Sequence, residues 1–503
     1  MDNEIFFAEN SKVKEVRQLA GQTIVYGLGT IVPRFLNYAI LTFFYTRIFR
    51  KEEYGVITEL YAWMVLFLIV LTYGMETGFF RFSQKADYEK IYSTSLISLF
   101  ITSSLFLILT NIFIEPFSQL LKYKNNQDYI RMFCAILAID SFTALPFARI
   151  RRENKALLFS IIKISNVVIT LTVVIFLLKI APDIYIDGRG LIKNVLIKFY
   201  NPYYGVGYVF VANLVGSIAT LIMLLPYIIK IKNGFDFEIW RKMIIYSFPL
   251  LIAGVSGSLN DAVDKVLLRR LIDEDKALYT VGEYGAGYKI GVLMALFIQM
   301  FRFAAEPFFF ERAEKKNAKE TYTFVMKYFV IVMLVIFLVL NLYRPVIQYI
   351  LGEPYRNSLV VVPMISMAYL LYGIYVNHSI WYKINDLTRF GVYITFAGAI
   401  VTILINIIFI PVYGYMASAW AHVASYLSML VLSFVLASKY YPVNYNMGKL
   451  IPYFIIAIGM VIFGSIFRYK TIAEELIINT VLIGTFIIYA EKKDKAITVF
   501  FKK

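Results

Sequence analysis

The sequence predicts an all-α polytopic membrane protein with about 14 transmembrane helices: two six-helix lobes related by a pseudo-twofold axis, followed by two C-terminal helices. Three observations predict this class: an apolar composition, a series of apolar stretches of membrane-spanning length, and an internal repeat. The 503 residues are 59% hydrophobic and 17% charged, with a mean hydropathy of +0.67. No soluble fold needs so many apolar stretches of about 20 residues, the length that crosses a hydrocarbon core about 30 Å thick.

Each apolar stretch is expected to be a helix, because a backbone in lipid must satisfy its own hydrogen bonds. No connection between the stretches is long enough to hold a separate soluble domain. The predicted spans are 20–46, 54–79, 91–115, 129–150, 156–179, 205–229, 243–270, 281–303, 321–343, 357–382, 390–411, 414–438, 449–467 and 471–490.

An internal repeat relates spans 1–6 to spans 7–12. The EYG triplets at 53–55 and 283–285 match at an offset of 230 residues. NPYYGVG at 201–207 and IPVYGYM at 410–416 match at an offset of 209, and one loop at 180–201 that only the first copy contains explains the difference. Each copy has an even number of spans, so both enter the membrane from the same side. Transporters built from such parallel repeats bind substrate between their halves.

The repeat predicts three parts of the chain. An N-terminal lobe would occupy 1–235 with spans 1–6, and a C-terminal lobe would occupy 236–442 with spans 7–12. The remaining 443–503 would hold two appended spans and a cytoplasmic tail.

The distribution of Lys and Arg predicts the orientation. With the N-terminus inside, 29 of the 50 basic residues fall in cytoplasmic segments and 16 in external ones. Both termini are therefore expected in the cytoplasm. The net charge of +16 is explained by this topology, so no nucleic-acid partner is expected. The first residues, MDNEIFF, are acidic where a secretory signal would be basic, so no cleaved signal peptide is expected.

Span 7 contains the stretch LLIAGVSGSLNDAVDKVLLRRL at 250–271, which carries charged residues. Asp261, Asp264 and Lys265 share one helix face, because residues three and four apart are neighbours on a helix. A charge at mid-membrane costs about 2.5–3.5 kcal/mol on insertion scales, so such groups generally face a watery interior. This face is therefore predicted to line a cavity. The alternative is that Asp261 and Lys265 pair with each other near the outer end of the span.

Other spans also carry ionisable residues. Arg34 in span 1 matches Asp264 at the repeat offset, so spans 1 and 7 are expected to present complementary charges across a central cleft. Lys289 lies about two turns into span 8. Asp140 and Lys163 stand at comparable depth on spans 4 and 5, where a structural ion pair is the alternative to a functional role.

The sequence carries no motif of nucleotide or metal chemistry. GAGYKIG at 285–291 lies within a span and follows no strand, so it is not a nucleotide-binding loop. His378 and His422 are expected as core residues, and the single Cys134 excludes an internal disulfide. No metal, no cofactor and no enzymatic activity are therefore predicted. A polysaccharide polymerase or ligase would need a larger external loop than 180–204.

Several motifs carry a resemblance to a known family. They are TRIFRKEEYGVI at 46–57, GMETGFFRF at 74–82, DKVLLRRL at 264–271, VGEYGAGYKI at 281–290, FRFAAEPFFF at 301–310 and INIIFIPVYGYMASA at 405–419. In these motifs the chain resembles the Wzx-type polysaccharide flippases, which move O-antigen and other oligosaccharide-lipids. These belong to the multidrug/oligosaccharidyl-lipid/polysaccharide exporter superfamily.

The resemblance implies a transporter of the bacterial cytoplasmic (inner) membrane. It would flip oligosaccharide repeat units linked to undecaprenyl diphosphate from the inner to the outer leaflet by alternating access, for O-antigen, lipopolysaccharide or capsule biosynthesis. Its basic residues in a cationic cavity for the diphosphate would be Arg34, Lys163, Lys265 and Lys289. The carboxylates left for gating or ion coupling are Asp140, Asp261 and Asp264. Membrane lipids, H⁺ or Na⁺ as coupling ion, and other polysaccharide-assembly proteins are the remaining expected partners.

A multidrug/cation antiporter of the same superfamily is the main alternative. It would bind cations through carboxylates such as Asp261 and Asp264, and it typically has about twelve spans. The fourteen predicted spans and Arg34 in the middle of span 1 favour the flippase. A flippase for the peptidoglycan precursor is a close relative that the sequence leaves open.

Overall fold

The computed structural model describes residues 31–83, 87–187, 191–229, 233–313, 318–385, 387–467 and 470–495. All regular elements in these ranges are helices. Thirteen of them are long and apolar enough to cross a membrane, and they coincide with predicted spans 2–14. The predicted all-α polytopic fold is confirmed. Predicted span 1 begins at residue 20, so its first part lies outside the described residues.

The long helices follow the order of the predicted spans. In the first half they are α1 (31–48), α2 (Lys51–Phe82), α3 (Tyr88–Ile112), α4 (Gln127–Arg152), α5 (Ala156–Asp187) and α6 (Gly207–Ile229). In the second half they are α7 (Phe237–Leu271), α8 (Glu274–Gly291, continued by Leu293–Arg312), α9 (Ala318–Leu342), α10 (Glu353–Ile384), α11 (Arg389–Tyr413) and α12 (Tyr415–Tyr440). The two appended helices are α13 (Met447–Ile466) and α14 (Ile472–Asp494). Shorter helices lie in the connections at Ile114–Leu120, Leu191–Phe199 and Arg344–Ile347.

Local signals explain several helix boundaries. Asp87 caps α3 by accepting hydrogen bonds from the backbone N–H groups of Glu89 (3.0 Å) and Lys90 (3.4 Å), which would otherwise lack partners at the helix start. Thr471 caps α14 in the same way through the N–H of Glu474 (3.1 Å). Gly414 separates α11 from α12 with a φ of +57°, a conformation that glycine adopts without steric cost.

The chain divides into two compact units. The first consists of Met1–Asn37 and Val56–Ser258, and the second of Tyr38–Gly55 and Leu259–Lys503. The division falls inside α7, whose polar residues from 259 onward belong to the second unit. The predicted parts 1–235, 236–442 and 443–503 stay predictions. They are defined by the sequence repeat, whereas the two units are defined by packing.

The core of the first unit is apolar and joins helices α2, α3, α4 and α7. Its buried side chains include Met75, Phe79, Tyr92, Leu145 and Met243. The GMETGFFRF motif at 74–82 contributes the first two of these. A Cβ on Gly78 would come within 2.7 Å of the Ser247 Oγ, so this glycine lets α2 approach the first half of α7 closely. The motif therefore has a packing role.

The two appended helices pack on α9 in the second unit. The amide Nδ2 of Asn479 donates to the carbonyl oxygen of Leu342 (2.7 Å), which ends α9. At the other end, the Lys327 ammonium lies 2.7 Å from the Asp494 carboxylate, and the Tyr328 hydroxyl donates to the Asp494 carbonyl oxygen (2.8 Å). Polar contacts thus fix α14 to α9 at both ends.

The start of α2 crosses α8 at two glycines in the second unit. A Cβ on Gly55 would overlap with the carbonyl oxygen of Leu278, and a Cβ on Gly282 would overlap with the carbonyl oxygen of Lys51. Backbone atoms cannot move aside as a flexible side chain can. The glycines in and beside the repeated EYG triplets therefore allow two backbones to touch, a use of small residues that is common between membrane helices.

We predict that Gly282→Ala destabilises the protein by about 1–3 kcal/mol, because the added methyl group forces α2 and α8 apart. The measurement is thermal unfolding of the purified protein in detergent. Gly459→Ala on α13 is the matched control, since a Cβ there meets no atom within 4 Å. The control is expected to be neutral or slightly stabilising, because alanine favours a helix over glycine by about 0.8–1 kcal/mol. Equal stability of both variants would contradict the close crossing.

Candidate functional site

Two of the three charged residues on the predicted face of α7 are buried inside the second unit, and the third, Asp261, is exposed. Asp264 is 0% exposed and Lys265 is 5% exposed. The Lys265 ammonium lies 3.0 Å from Oδ1 and 3.2 Å from Oδ2 of Asp264. It also donates to the carbonyl oxygen of Asp261 (2.6 Å) and lies 3.4 Å from the centroid of the Tyr288 ring. Lys265 therefore forms its ion pair with Asp264 and contacts Asp261 through the backbone.

Two further side chains donate hydrogen bonds to Asp264. The Tyr284 hydroxyl of α8 lies 2.6 Å from Oδ2, and Nε2 of His422 on α12 lies 2.9 Å from the same oxygen. An ionised carboxylate only accepts, so Nε2 of His422 carries a hydrogen in this arrangement. The other ring nitrogen, Nδ1, is buried and has no hydrogen-bond partner among the described residues. Asp264 thus joins α7, α8 and α12.

A chain of tyrosines extends this cluster to Asp261, whose residue surface is partly exposed. The hydroxyl groups of Tyr369 (2.9 Å) and Tyr426 (2.6 Å) both donate to Oδ1 of Asp261. The Tyr369 hydroxyl is also 2.7 Å from the Tyr288 hydroxyl, beside the Lys265 ammonium. Asp261 is therefore the accessible end of a hydrogen-bonded network whose buried end is Asp264.

Asn260 completes the polar face of α7. Its Oδ1 accepts hydrogen bonds from the Thr402 hydroxyl of α11 (2.8 Å) and from the Ser425 hydroxyl of α12 (2.9 Å). A second amide, Asn406 on α11, accepts from the Ser418 hydroxyl (2.6 Å). These bonds satisfy polar groups in an apolar bundle, where an unpaired one would cost about 1–3 kcal/mol.

The first unit contains a separate group of predicted site residues. Oδ1 of Asp140 accepts a hydrogen bond from the Ser217 hydroxyl (2.7 Å), and the Lys163 ammonium lies 4.0 Å from the centroid of the Phe147 ring. The charges of Asp140 and Lys163 interact, but each side chain has a direct partner of its own. Their predicted role, functional or structural, stays a prediction.

Two more basic residues lie within electrostatic range of Lys163. They are Arg34 on α1 and Arg151 on α4. Arg34 is exposed, and Arg151 forms an ion pair with Glu76. The first unit therefore contains Arg34 and Lys163, two of the cations predicted to receive a diphosphate.

The remaining predicted cation, Lys289, lies on α8 in the second unit. It is half-buried, and its ammonium is 5.5 Å from the centroid of the Tyr54 ring. Among the predicted residues, the structure thus joins Asp261, Asp264 and Lys265 in one network, while Arg34, Asp140 and Lys163 lie in the first unit. The predicted complementarity of Arg34 and Asp264 across a cleft stays a prediction.

Sequence analysis missed several members of the network. His422 was assigned to the core, and Tyr284, Tyr369 and Tyr426 were not identified. A usable signal was present in α12, where several polar side chains are spaced so that they lie along one helix face. Its members are Ser418, His422, Ser425, Tyr426 and Ser433.

A buried carboxylate of the first unit was also missed. Glu59 on α2 is 0% exposed and accepts a hydrogen bond from the Tyr123 hydroxyl (2.6 Å). Its position inside span 2 was the signal. Within the described ranges, no group of three His, Cys, Asp or Glu side chains is arranged to hold a metal ion.

Comparison with known proteins relates this arrangement to membrane transporters. The model of the family described as "Polysaccharide biosynthesis protein" matches residues 19–312. Among solved structures, lipid II flippase MurJ in an inward closed conformation has 14% identity and a TM-score of 0.68, over 93% of this chain and 99% of that chain. An inward-facing multidrug resistance MATE family transporter of the MOP superfamily has 12% identity and a TM-score of 0.60, over 82% and 92%. No curated protein matches the sequence.

An outward-facing MATE family transporter is similar as well. It has 10% identity and a TM-score of 0.57, over 84% of this chain and 96% of that chain. At such identities the likeness is one of fold. The all-helical architecture of this chain is thus shared with MurJ and with MATE transporters.

We predict that Asp264→Asn destabilises the protein by about 3–5 kcal/mol, because it leaves the buried Lys265 ammonium without its counter-ion. The double variant Asp264→Leu/Lys265→Met is expected to lose less than the sum of the two single variants, since no unpaired charge remains. Thermal unfolding in detergent of the wild type, Asp264→Leu, Lys265→Met and the double variant gives this coupling. Additive losses would contradict the buried ion pair.

Proposed function

The chain belongs to the polysaccharide biosynthesis protein family, and from this premise we propose that it transports lipid-linked oligosaccharides across the membrane. The observation that carries the proposal is the fold shared with the lipid II flippase MurJ over 93% of this chain. The family match supports a cargo made in polysaccharide biosynthesis. The protein is proposed as a transporter and not as an enzyme.

The proposed cargo is an oligosaccharide repeat unit on undecaprenyl diphosphate, flipped from the inner to the outer leaflet of the bacterial cytoplasmic membrane. The motifs typical of Wzx-type flippases support this substrate and a role in O-antigen, lipopolysaccharide or capsule biosynthesis. Both termini would lie in the cytoplasm. Other polysaccharide-assembly proteins would supply the cargo and receive it.

The physical task is to move a hydrated, doubly charged head group through hydrocarbon. A protein performs it by offering the head group a polar path by alternating access while the prenyl tail stays in lipid. The membrane potential favours this direction, because each negative charge moved outward releases about 2.3 kcal/mol per 100 mV. Two charges give about 4–5 kcal/mol, so ATP hydrolysis is not needed.

We assign diphosphate binding to the predicted cations, in two groups. Arg34 and Lys163 would act first, since Arg34 is exposed and lies within electrostatic range of Lys163. Lys289 would add a half-buried charge. Lys265 is held by Asp264, so it would become available only when that carboxylate is neutralised. An arginine suits this task because its planar guanidinium donates two parallel hydrogen bonds to a phosphate.

Protonation of Asp264 provides such a neutralisation. A proton on this carboxylate would weaken its ion pair with Lys265 and its bond with His422. The Lys265 ammonium also contacts the carbonyl oxygen of Asp261, which links the two aspartates. We therefore propose Asp261 and Asp264 as the coupling residues, with H⁺ as the ion and Na⁺ as the alternative. Asp140 in the first unit is the proposed gating carboxylate, through its bond to Ser217.

A multidrug/cation antiporter is the second candidate function. The fold shared with MATE transporters supports it, and so does the accessible Asp261 carboxylate between Tyr369 and Tyr426. Aromatic faces beside a carboxylate suit an organic cation. Loss of drug resistance without loss of surface polysaccharide, on deletion of the gene, would favour this candidate over the flippase.

We predict that Arg34→Ala lowers export of surface polysaccharide about tenfold or more, since it removes charge-assisted hydrogen bonds to the diphosphate worth about 1.5–3 kcal/mol. Arg34→Lys should retain part of the activity. The measurement is surface polysaccharide in cells that depend on this protein. Arg131→Ala is the matched control, because Arg131 is also exposed on a helix of the first unit. Normal export by both Arg34 variants would show that Arg34 does not bind cargo.

A second prediction concerns coupling. In proteoliposomes, an imposed gradient of one pH unit should change the ratio of cargo across the membrane, as set by the wild type, about tenfold. The reason is that one exchanged proton supplies about 1.4 kcal/mol from such a gradient. Asp264→Asn, reconstituted from its folded fraction and assayed well below its lowered unfolding temperature, should lose this response and keep its response to an imposed membrane potential. Asp183→Asn, an exposed carboxylate at the end of α5, should keep both. A full pH response of the Asp264 variant would exclude Asp264 as the coupling residue.

A further inference from the structure

A polar cavity distinct from the Asp264 network lies within the second unit. Its volume is about 680 Å³, and it is lined by residues 46–52, Tyr279 and residues 352–355. Cavities of about 300–1,000 Å³ are the size of ligand sites. The first lining segment is part of the TRIFRKEEYGVI motif, which the transport proposal leaves without a role. The basic-residue distribution predicts that both 47–51 and 344–356 are external.

The walls of this cavity are fixed by contacts across the chain. The N–H of Gly352 donates to the Thr46 hydroxyl (2.8 Å), and the Tyr355 hydroxyl donates to the carbonyl oxygen of Phe49 (2.8 Å). Lys51 is held by the Glu283 carboxylate (2.9 Å) and contacts the Tyr279 hydroxyl (2.7 Å). Because these contacts already order the wall, ligand binding would lose little free energy to ordering it.

Two arginines of the lining provide positive charge at its surface. Arg47 is exposed, and its guanidinium is positioned by the carbonyl oxygens of Tyr349 (2.6 Å) and Ile350 (3.2 Å). Arg50 is exposed and immediately precedes α2, whose first N–H groups have no partners within the helix. The positive end of the helix dipole therefore adds to the charge of Arg50.

A third arginine, Arg356, adds positive charge beside Arg47. Burial and the neighbouring charge of Arg356 lower the pKa of Arg47. The Nε of Arg356 is buried and has no hydrogen-bond partner among the described residues. An anion bound beside these two like charges would reduce their mutual repulsion.

The lining also carries two exposed carboxylates, Glu52 and Glu353. They oppose an anion, whereas Lys51 is already paired with Glu283. With these two carboxylates present, a singly charged anion would gain little binding free energy from the arginines. A phosphate group gains more, because its oxygens accept paired hydrogen bonds from a guanidinium.

We propose that this cavity binds a phosphate group, held by Arg47 and Arg50. The phosphate would belong to a soluble phosphorylated compound or to the head group of a membrane lipid, since both present the same oxygens. The site is separate from the cations assigned to the cargo. It is tested by binding alone, so its outcome is independent of the transport proposal.

The test uses the full chain in nanodiscs of zwitterionic phosphatidylcholine, titrated with inorganic pyrophosphate in a calorimeter. Arg50→Gln should weaken binding about tenfold or more through loss of a charge-assisted contact. Glu353→Gln should strengthen binding, because it removes an opposing charge. Arg389→Gln is the matched control, an exposed arginine of the same unit outside the cavity, and should bind as the wild type does. Arg50 serves better than Arg47, whose hydrogen bonds also hold the cavity wall.

A second arm distinguishes the two sources of phosphate. The wild type and Arg50→Gln are purified from membranes containing phosphatidylglycerol, and retained lipid is measured by native mass spectrometry. Pyrophosphate binding that depends on Arg50 supports a soluble phosphate, and phosphatidylglycerol retention that depends on Arg50 supports a lipid head group. The proposal is overturned if Arg50→Gln and Arg389→Gln equal the wild type in both measurements, or if the wild type shows neither kind of binding.

Discussion

A charge buried among apolar helices must find partners, and this requirement organises the second unit. Asp264 has Lys265 beside it on α7 and receives hydrogen bonds from Tyr284 on α8 and His422 on α12. Removing one partner of a buried ion pair costs more than the pair itself contributes, because the remaining charge stays in a medium of low dielectric constant. The network therefore fixes which helices meet and which turns face each other. Protonation of Asp264 would change this same ion pair and these same hydrogen bonds.

The sequence predicted the helices well because the length and apolarity of a span are local properties. Spans 2–14 each coincide with a helix. The partners of the charges were less accessible, since they depend on which helices pack together. Tyr284 and His422 lie 20 and 158 residues from Asp264 along the chain. The expectation that Lys265 faces a cavity considered α7 by itself, without the aromatic and polar side chains that α8, α10 and α12 bring to it.

The basic residues also differ in their contacts, and therefore in the roles that they can have. Lys265 and Lys51 each have a buried carboxylate as a direct partner, at 3.0 Å and 2.9 Å. They contribute to packing as long as those partners stay ionised. Arg34 and Arg50 are exposed. Under the proposed function, exposed cations would suit repeated binding and release of a phosphate group, whereas Lys51 and Lys265 would change state only when their carboxylate partners do.

The assignment of residues 38–55 to the second unit has a consequence for biosynthesis. This segment leaves the ribosome early, yet Phe49 bonds to Tyr355, which is 306 residues further along the chain. At about 5–20 residues per second, translation takes about 15–60 seconds to deliver that partner. During this interval the carbonyl oxygen of Phe49 lacks the Tyr355 hydroxyl that it accepts from in the folded protein. The order of synthesis thus leaves the end of α1 without this partner until the start of α10 has been made.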